Sequence, residues 1–126
     1  MRIGVPREPA DQPRAAASPQ TVERMIRLGY EVLVERGVGE RAQFPDDAYE
    51  AAEAQPAGGA RVWGCDVVLS ASAPGEEHLA LMSRGAVLIC RLDPARRPDL
   101  LEQLRERGIT CLALDVVPRI SRAQSL

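Results

Sequence analysis

The sequence predicts an α/β protein, a three-layer α/β/α sandwich built around a five-stranded parallel sheet. Three observations predict it. Short apolar runs alternate with helix-like segments along the whole chain. The runs are continuously apolar rather than alternating, which marks strands covered on both faces, as in parallel sheets. Neighbouring runs are far enough apart for a crossover, and right-handed crossovers place helices on both faces of the sheet.

The elements follow in order. Arg2-Ile3-Gly4-Val5 is the first strand, closed by Pro6. After a charged, Ala-rich loop, Ser18-Pro19 reads as an N-cap followed by proline at the first helical position. That helix runs to about Leu28 with Val22, Met25 and Ile26 on one face, and Gly29 ends it. Glu31–Glu35 is the second strand. A glycine turn leads to Pro45-Asp46-Asp47, whose acidic first turn suits the helix dipole of a short helix through Ala54. Residues 55–64 hold Pro56, Gly58 and Gly59 and read as irregular loop. Asp66–Ser70 is the third strand. Pro74, Glu76 and Glu77 start a helix that carries Leu79 and Met82 inward and ends at Gly85. Ala86–Cys90 is the fourth strand. Pro98 starts a helix with Leu100, Leu101 and Leu104 on one face, ended by Gly108. Ile109–Leu114 is the fifth strand. The strand order 2-1-3-4-5, flavodoxin-like, is carried over from how such sheets are commonly wound, since pattern alone does not set it.

The chain has 126 residues, which fits one domain and leaves little room for two. An apolar fraction of 45% supports a core, and a net charge of −2 excludes a disordered polyelectrolyte. An acidic pI near 5.5 argues against a nucleic-acid binder. No apolar run approaches the length of a membrane span, and the N-terminus lacks the apolar stretch of a secretory signal. All 16 basic residues are Arg. The absence of Lys excludes a Schiff base, a lysine general base and a Walker-A lysine. Cys65, Cys90 and Cys111 have no metal or disulfide spacing and read as buried, reduced thiols.

Gly37-Val38-Gly39-Glu40-Arg41-Ala42 matches a dinucleotide fingerprint by letter. Phe44-Pro45 interrupts the helix that would aim amides at a pyrophosphate, so a tight turn is the favoured reading. His78, the lone histidine, reads as a solvated helix residue without an orienting partner. The paired acids Asp46-Asp47 and Glu76-Glu77 are explained by their helix starts. Arg14, in the loop after the first strand, lies at the carboxyl edge where open parallel sheets bind ligands, and there it can clamp a carboxylate. The reading of Arg14 as a surface arginine stands beside it. In the last stretch, Ser121, Arg122 and Gln124 read as the opening of a helix whose body is missing. Arg119 and Gln124 there have the donors to bind a carboxamide or phosphate.

Several segments together resemble a known family. They are the opening Met1-Arg2-Ile3-Gly4-Val5-Pro6-Arg7-Glu8, Arg14–Pro19 (RAAASP where the family writes RVAATP), Val62-Trp63, Ala73-Pro74 and Val117–Leu126 (VPRISRAQSL). The chain resembles the start of the alpha subunit of proton-translocating NAD(P) transhydrogenase, in the alanine dehydrogenase/transhydrogenase N-terminal domain family. The resemblance covers essentially all 126 residues. It implies hydride transfer from NADH to NADP+ coupled to proton movement. It also implies that Arg119 begins a loop over the nicotinamide, with Arg119, Gln124, Ser125 and Leu126 contacting cofactor. Arg119 and Gln124 would be two of the loop's three name-giving residues, and the third, an Asp, would follow Leu126. The expected partners are the NADP-binding and transmembrane components, in a homo-oligomeric assembly at the cytoplasmic side of an inner membrane.

On that resemblance residues 1–126 read as one domain cut within its nicotinamide loop, with the downstream Rossmann domain absent. The expectation is a chain inactive alone that does not bind NAD(H) tightly. Two other readings stand beside it, a non-catalytic assembly module of a transhydrogenase and a fragment of an alanine dehydrogenase-like 2-oxo-acid reductase. Leu69–Pro74 reads LSASAP where the family commonly writes LKVNAP. Ser72 and Asp93 stand where the alanine dehydrogenase branch places Lys and His. Arg91 and Asp93 replace residues that are commonly aromatic. These departures disfavour the 2-oxo-acid reductase.

Overall fold

The apolar runs do form parallel strands, and their pairing decides which side chains meet. The computed structural model describes residues 1–9, 15–91 and 98–113. Six strands appear among them: β1 (Arg2–Val5), β2 (Glu31–Glu35), β3 (Gln55–Ala57), β4 (Val67–Leu69), β5 (Val87–Cys90) and β6 (Thr110–Ala113). All five pairings are parallel, in the order β3-β2-β1-β4-β5-β6. The five predicted strands keep the predicted order, and the addition is β3 at one edge.

That edge strand corrects the sequence reading of residues 55–64 as irregular. Gln55, Pro56 and Ala57 pair with Leu33, Val34 and Glu35. A proline is tolerated there because an edge strand has one unpaired side. The next residues form α3 (Gly59–Trp63) instead of loop. Its Val62 carbonyl packs directly on Gly4 of β1, where any Cβ would collide with it.

The other helices are α1 (Pro19–Arg27), α2 (Asp46–Ala51), α4 (Glu76–Leu79) and α5 (Pro98–Glu106). Ser18 caps α1 as expected, its hydroxyl accepting from the Thr21 N–H at 3.2 Å, and Gly29 leaves the helix at φ +104°. Two helices are shorter than predicted. Helix α2 stops at Ala51 because Glu53 turns at φ +74°. After Leu79 the backbone tightens into successive three-residue turns, Leu81 bonding to His78 and Met82 to Leu79. Leu79 and Met82 still point inward. In α5, Leu100 and Leu104 are buried one turn apart, whereas Leu101 is 47% exposed and does not join their face as predicted.

The three layers follow from the register. Ile3, Val5, Val32, Val34, Val67 and Leu69 face α1 and α2. The opposite face carries Val68, Leu88 and Cys90 against Trp63, Leu79, Leu100 and Leu104. On the first face the register continues through Val87 and Ile89 to Leu112, which no described helix covers. Leu112 is 47% exposed. Cys65 and Cys90 are buried as predicted, but Cys111 on the edge strand is only half-buried, and no disulfide joins any of the three. Among the described residues no helix is long and apolar enough to cross a membrane.

Candidate functional site

Open parallel sheets bind ligands at the carboxyl ends of strands, where neighbouring chains leave in opposite directions. Here that point lies between β1 and β4. From β1 the chain goes on to β2 on one side, while β4 leads to β5 on the other. The residues leaving β1 and β4 are Pro6-Arg7-Glu8 and Ser70-Ala71-Ser72.

Glu8 joins the two exits. Its Oε2 accepts from the Ala71 N–H at 2.9 Å. Its Oε1 accepts from the Ser72 N–H at 3.2 Å and the Ser72 hydroxyl at 2.7 Å. Ser70 is 3% exposed, and its Oγ lies 2.8 Å from the Ser72 carbonyl oxygen and 3.4 Å from Glu8 Oε2. A hydroxyl has one proton, and the shorter contact takes it. The preceding residue ties β1 to the other neighbour, the Arg7 N–H donating to Glu35 Oε1 at 2.9 Å. A single dipeptide therefore holds the ends of β2, β1 and β4 together.

Beside this clamp is a crevice of about 420 Å³. Glu8, Ser70 and Ser72 line one part of it, and Trp63, Pro74 and His78 another. His78 is not the solvated residue expected. It is half-buried and stacks on Trp63, with ring centroids 4.6 Å apart and planes 3° from parallel. Trp63 is 3% exposed, so this stack joins the crevice wall to the core.

The glycine motif is closed. Gly37 turns at φ +83°, and its N–H donates to Asp46 Oδ1 at 2.9 Å. A Cβ on Gly39 would lie 2.7 Å from Phe44 and from Tyr49. Both glycines serve the turn, and Asp46 reaches back to pin it, a role beyond the helix-dipole reading. The Tyr49 hydroxyl donates to the Ala17 carbonyl at 2.8 Å. Burial pushes the Tyr49 phenol up to about 12, and the Asp46 carboxylate adds to the effect. Burial also pushes the Cys65 thiol up, Asp66 adding and Arg2 and Arg61 opposing, so this cysteine suits the core and not nucleophilic chemistry. Among the described residues no group of His, Cys, Asp and Glu is arranged to hold a metal.

Arg14 lies outside the described residues, as do Asp93, Arg119, Gln124, Ser125 and Leu126. The loop after the first strand also carries Glu8, the described residue that ties it to the end of β4. Its signal was its position two residues past the strand-closing proline. Its donors, 63 and 64 residues away, leave no local trace.

Comparison with known proteins agrees with the fold. The sequence model of the family described as "Alanine dehydrogenase/PNT, N-terminal domain" matches residues 4–126. NAD(P) transhydrogenase subunit alpha of Haemophilus influenzae is 41% identical across the whole chain, which covers 25% of that protein. Alanine dehydrogenase of Bacillus subtilis is 35% identical over 93% of the chain, which covers 32% of that protein. The crystal structure of transhydrogenase from Sinorhizobium meliloti superposes with a TM-score of 0.92 at 31% identity. That match covers 99% of this chain and 38% of the other. The chain thus spans about a quarter to two-fifths of these relatives.

Proposed function

From the premise that the chain belongs to the alanine dehydrogenase/PNT N-terminal domain family, we propose that it is the first lobe of a transhydrogenase-type alpha subunit. In this reading the whole protein transfers hydride from NADH to NADP+, coupled to proton movement by transmembrane components. The crevice between the ends of β1 and β4 holds the nicotinamide end of NAD(H). Segments beyond residue 126 hold the rest of the cofactor, and the expected partners are the NADP-binding and membrane components.

The observation that carries this reading is the crevice clamped by Glu8 at the switch point of the sheet. Its volume of about 420 Å³ suits a ring and its sugar. Trp63 and Pro74 supply apolar wall, and Ser72 supplies a polar edge. The donors for a pyrophosphate are a different matter. The glycine turn at Gly37–Ala42 is filled by Phe44, Tyr49 and Asp46. The described residues therefore fit the nicotinamide end and not the phosphates.

When bound, the nicotinamide supplies the hydride, and this chain's residues position it. Glu8 fixes the Ser70–Ser72 segment against the end of β1. The Trp63–His78 stack keeps the wall in place and narrows water access. Arg119 and Gln124, by family resemblance, close over the ring. Holding two reactants in register is a large part of catalysis in a reaction that needs near contact.

Ser72 favours this reading over a 2-oxo-acid reductase. Its hydroxyl and N–H are both committed to Glu8, at the position where the alanine dehydrogenase branch carries Lys. The test is a protein extended through the downstream domain and mixed with an NADP-binding component. NADH-dependent reduction of an NADP+ analogue is expected, without pyruvate-dependent NADH oxidation. Pyruvate turnover would overturn the assignment. Calorimetry on the 126-residue chain alone is expected to show no micromolar NADH binding.

A further inference from the structure

We propose that the amino end of the sheet is a surface through which two copies of this chain associate about a two-fold axis, with Arg2 and Glu31 at its centre. It lies at the opposite end of the strands from the crevice and shares no lining residue with it. What the crevice holds therefore does not bear on it.

Exposed apolar side chains gather at this end. Among the described residues, Met1 and Leu28 are 70% and 76% exposed, and Tyr30 and Leu81 are exposed as well. Met1 and Tyr30 immediately precede the paired residues Arg2 and Glu31, and the Glu31 N–H donates to the Met1 carbonyl at 3.2 Å. Leu28 ends α1 two residues before Tyr30, whose N–H returns to the Met25 carbonyl. The Leu81 backbone lies against Gly64, and the chain runs from there into the start of β5. Only Leu101 and Leu112, on α5 and β6, are large, apolar and exposed elsewhere among the described residues. One exposed leucine is ordinary, but a cluster marks an interaction surface. The stretches outside the described residues, 10–14, 92–97 and 114–126, continue from the carboxyl ends of β1, β5 and β6 and not from this end.

Charge identifies the occupant. Arg2 Nε donates to Glu31 Oε2 at 2.9 Å, and the two side chains are 58% and 60% exposed. So exposed a pair contributes little to folding. A patch of one sign needs a partner of the other sign. A doublet of opposite signs needs a second doublet turned end for end. A two-fold axis supplies one, because it sets one residue against another and the second against the first. Arg2 of each copy then faces Glu31 of the other, and four charges alternate around the axis. Met1, Leu28 and Tyr30 beside them exclude water, which strengthens the charge contacts. Methionine, tyrosine and arginine are also the residue types enriched where proteins associate. The pair borders a groove of about 410 Å³ lined by Gly29, Gly64 and Asp66, which gives a facing side chain room to enter.

Analytical ultracentrifugation of the 126-residue chain tests this. A monomer–dimer equilibrium is expected, with a dissociation constant on the order of 100 μM, as suits a surface at the small end of specific interfaces. A monomer at every concentration up to about 1 mM overturns the proposal. Arg2→Glu sets like charges against each other across the axis, and so does Glu31→Arg. Each alone is expected to weaken the dimer about tenfold. An equimolar mixture of the two variants is expected to pair again, since every contact between copies then joins opposite charges. A dimer indifferent to both substitutions, or a mixture that does not recover, overturns the two-fold arrangement. Leu28→Ser is expected to weaken the dimer and Leu112→Ser to leave it unchanged. The reverse result moves the interface to β6 and overturns the assignment. Should a charge-reversed variant not fold, added salt decides on the parent chain. The dimer must loosen as salt screens the ring of charges, and a dimer that does not loosen overturns the proposal.

Discussion

The Ser72 hydroxyl donates to the Glu8 carboxylate across 2.7 Å, linking two loops 64 residues apart in sequence. Each loop leaves a different strand, and the bond spans the point where the sheet's winding reverses. Glu8→Ala leaves the Ala71 and Ser72 amides without their acceptor. The expected cost is about 1–3 kcal/mol, the desolvation penalty of part-buried donors. Ser72→Ala removes one donor and leaves the carboxylate two others, so it should cost about 1 kcal/mol. Denaturant titration of the two variants checks the order. A larger loss for Ser72→Ala would contradict the clamp.

Gly4 tolerates no side chain because the Val62 carbonyl of α3 occupies the space. That atom is backbone, so it cannot swing aside. Gly4→Ala must push α3 off the sheet, at an expected cost of about 2–4 kcal/mol. Gly29→Ala, with open space around it but φ +104°, should cost less, about 1 kcal/mol. Thermal melts of the pair distinguish a steric clash from a backbone preference.

Tyr49 ties stability to alkaline pH. Its phenol is raised from an ordinary value of about 10 to about 12 in the folded protein. The folded state therefore binds this proton more tightly than the unfolded state. The resulting stabilisation is fully present below about pH 10 and is lost as pH rises through about 12. Ionisation would also remove the donor to the Ala17 carbonyl. Tyr49→Phe should lower neutral-pH stability by about 1 kcal/mol and flatten the loss between about pH 10 and 12. Equilibrium unfolding across that range measures both effects.

Leu88 and Leu112 are chemically alike and differ in cover. Leu88 on β5 is fully buried against α4 and α5, whereas Leu112 on the edge strand is 47% exposed. Leu88→Ala is expected to cost about 2–5 kcal/mol, and Leu112→Ala about 0.5 kcal/mol or less. Comparable losses at both sites would show that Leu112 is covered in solution.

Local sequence was enough for the strands and for several helix ends. Val32, Leu33 and Val34 form a continuous apolar run, Ser18-Pro19 caps a helix, and Gly29 and Gly108 adopt the positive φ that stops one. These are properties of adjacent residues, so they can be read along the chain. The resemblance, carried most specifically by Val117–Leu126, likewise pointed to the family without any contact being known.

Tertiary structure decided the rest, because the forces involved act between residues far apart in sequence. Residues 55–57 are a strand only because β2 offers them an edge. Gly4 is required only because α3 packs on it. His78 turns from a solvated residue into part of a wall because Trp63, 15 positions earlier, lies flat beneath it. Above all, among the described residues Glu8 takes its three hydrogen-bond donors from the end of β4. The sequence by itself determined that there would be a parallel sheet with strands leaving its carboxyl edge in opposite directions. Only the fold determined which carboxylate would hold that edge together, since a hydrogen bond needs atoms within about 3 Å and only folding brings them there.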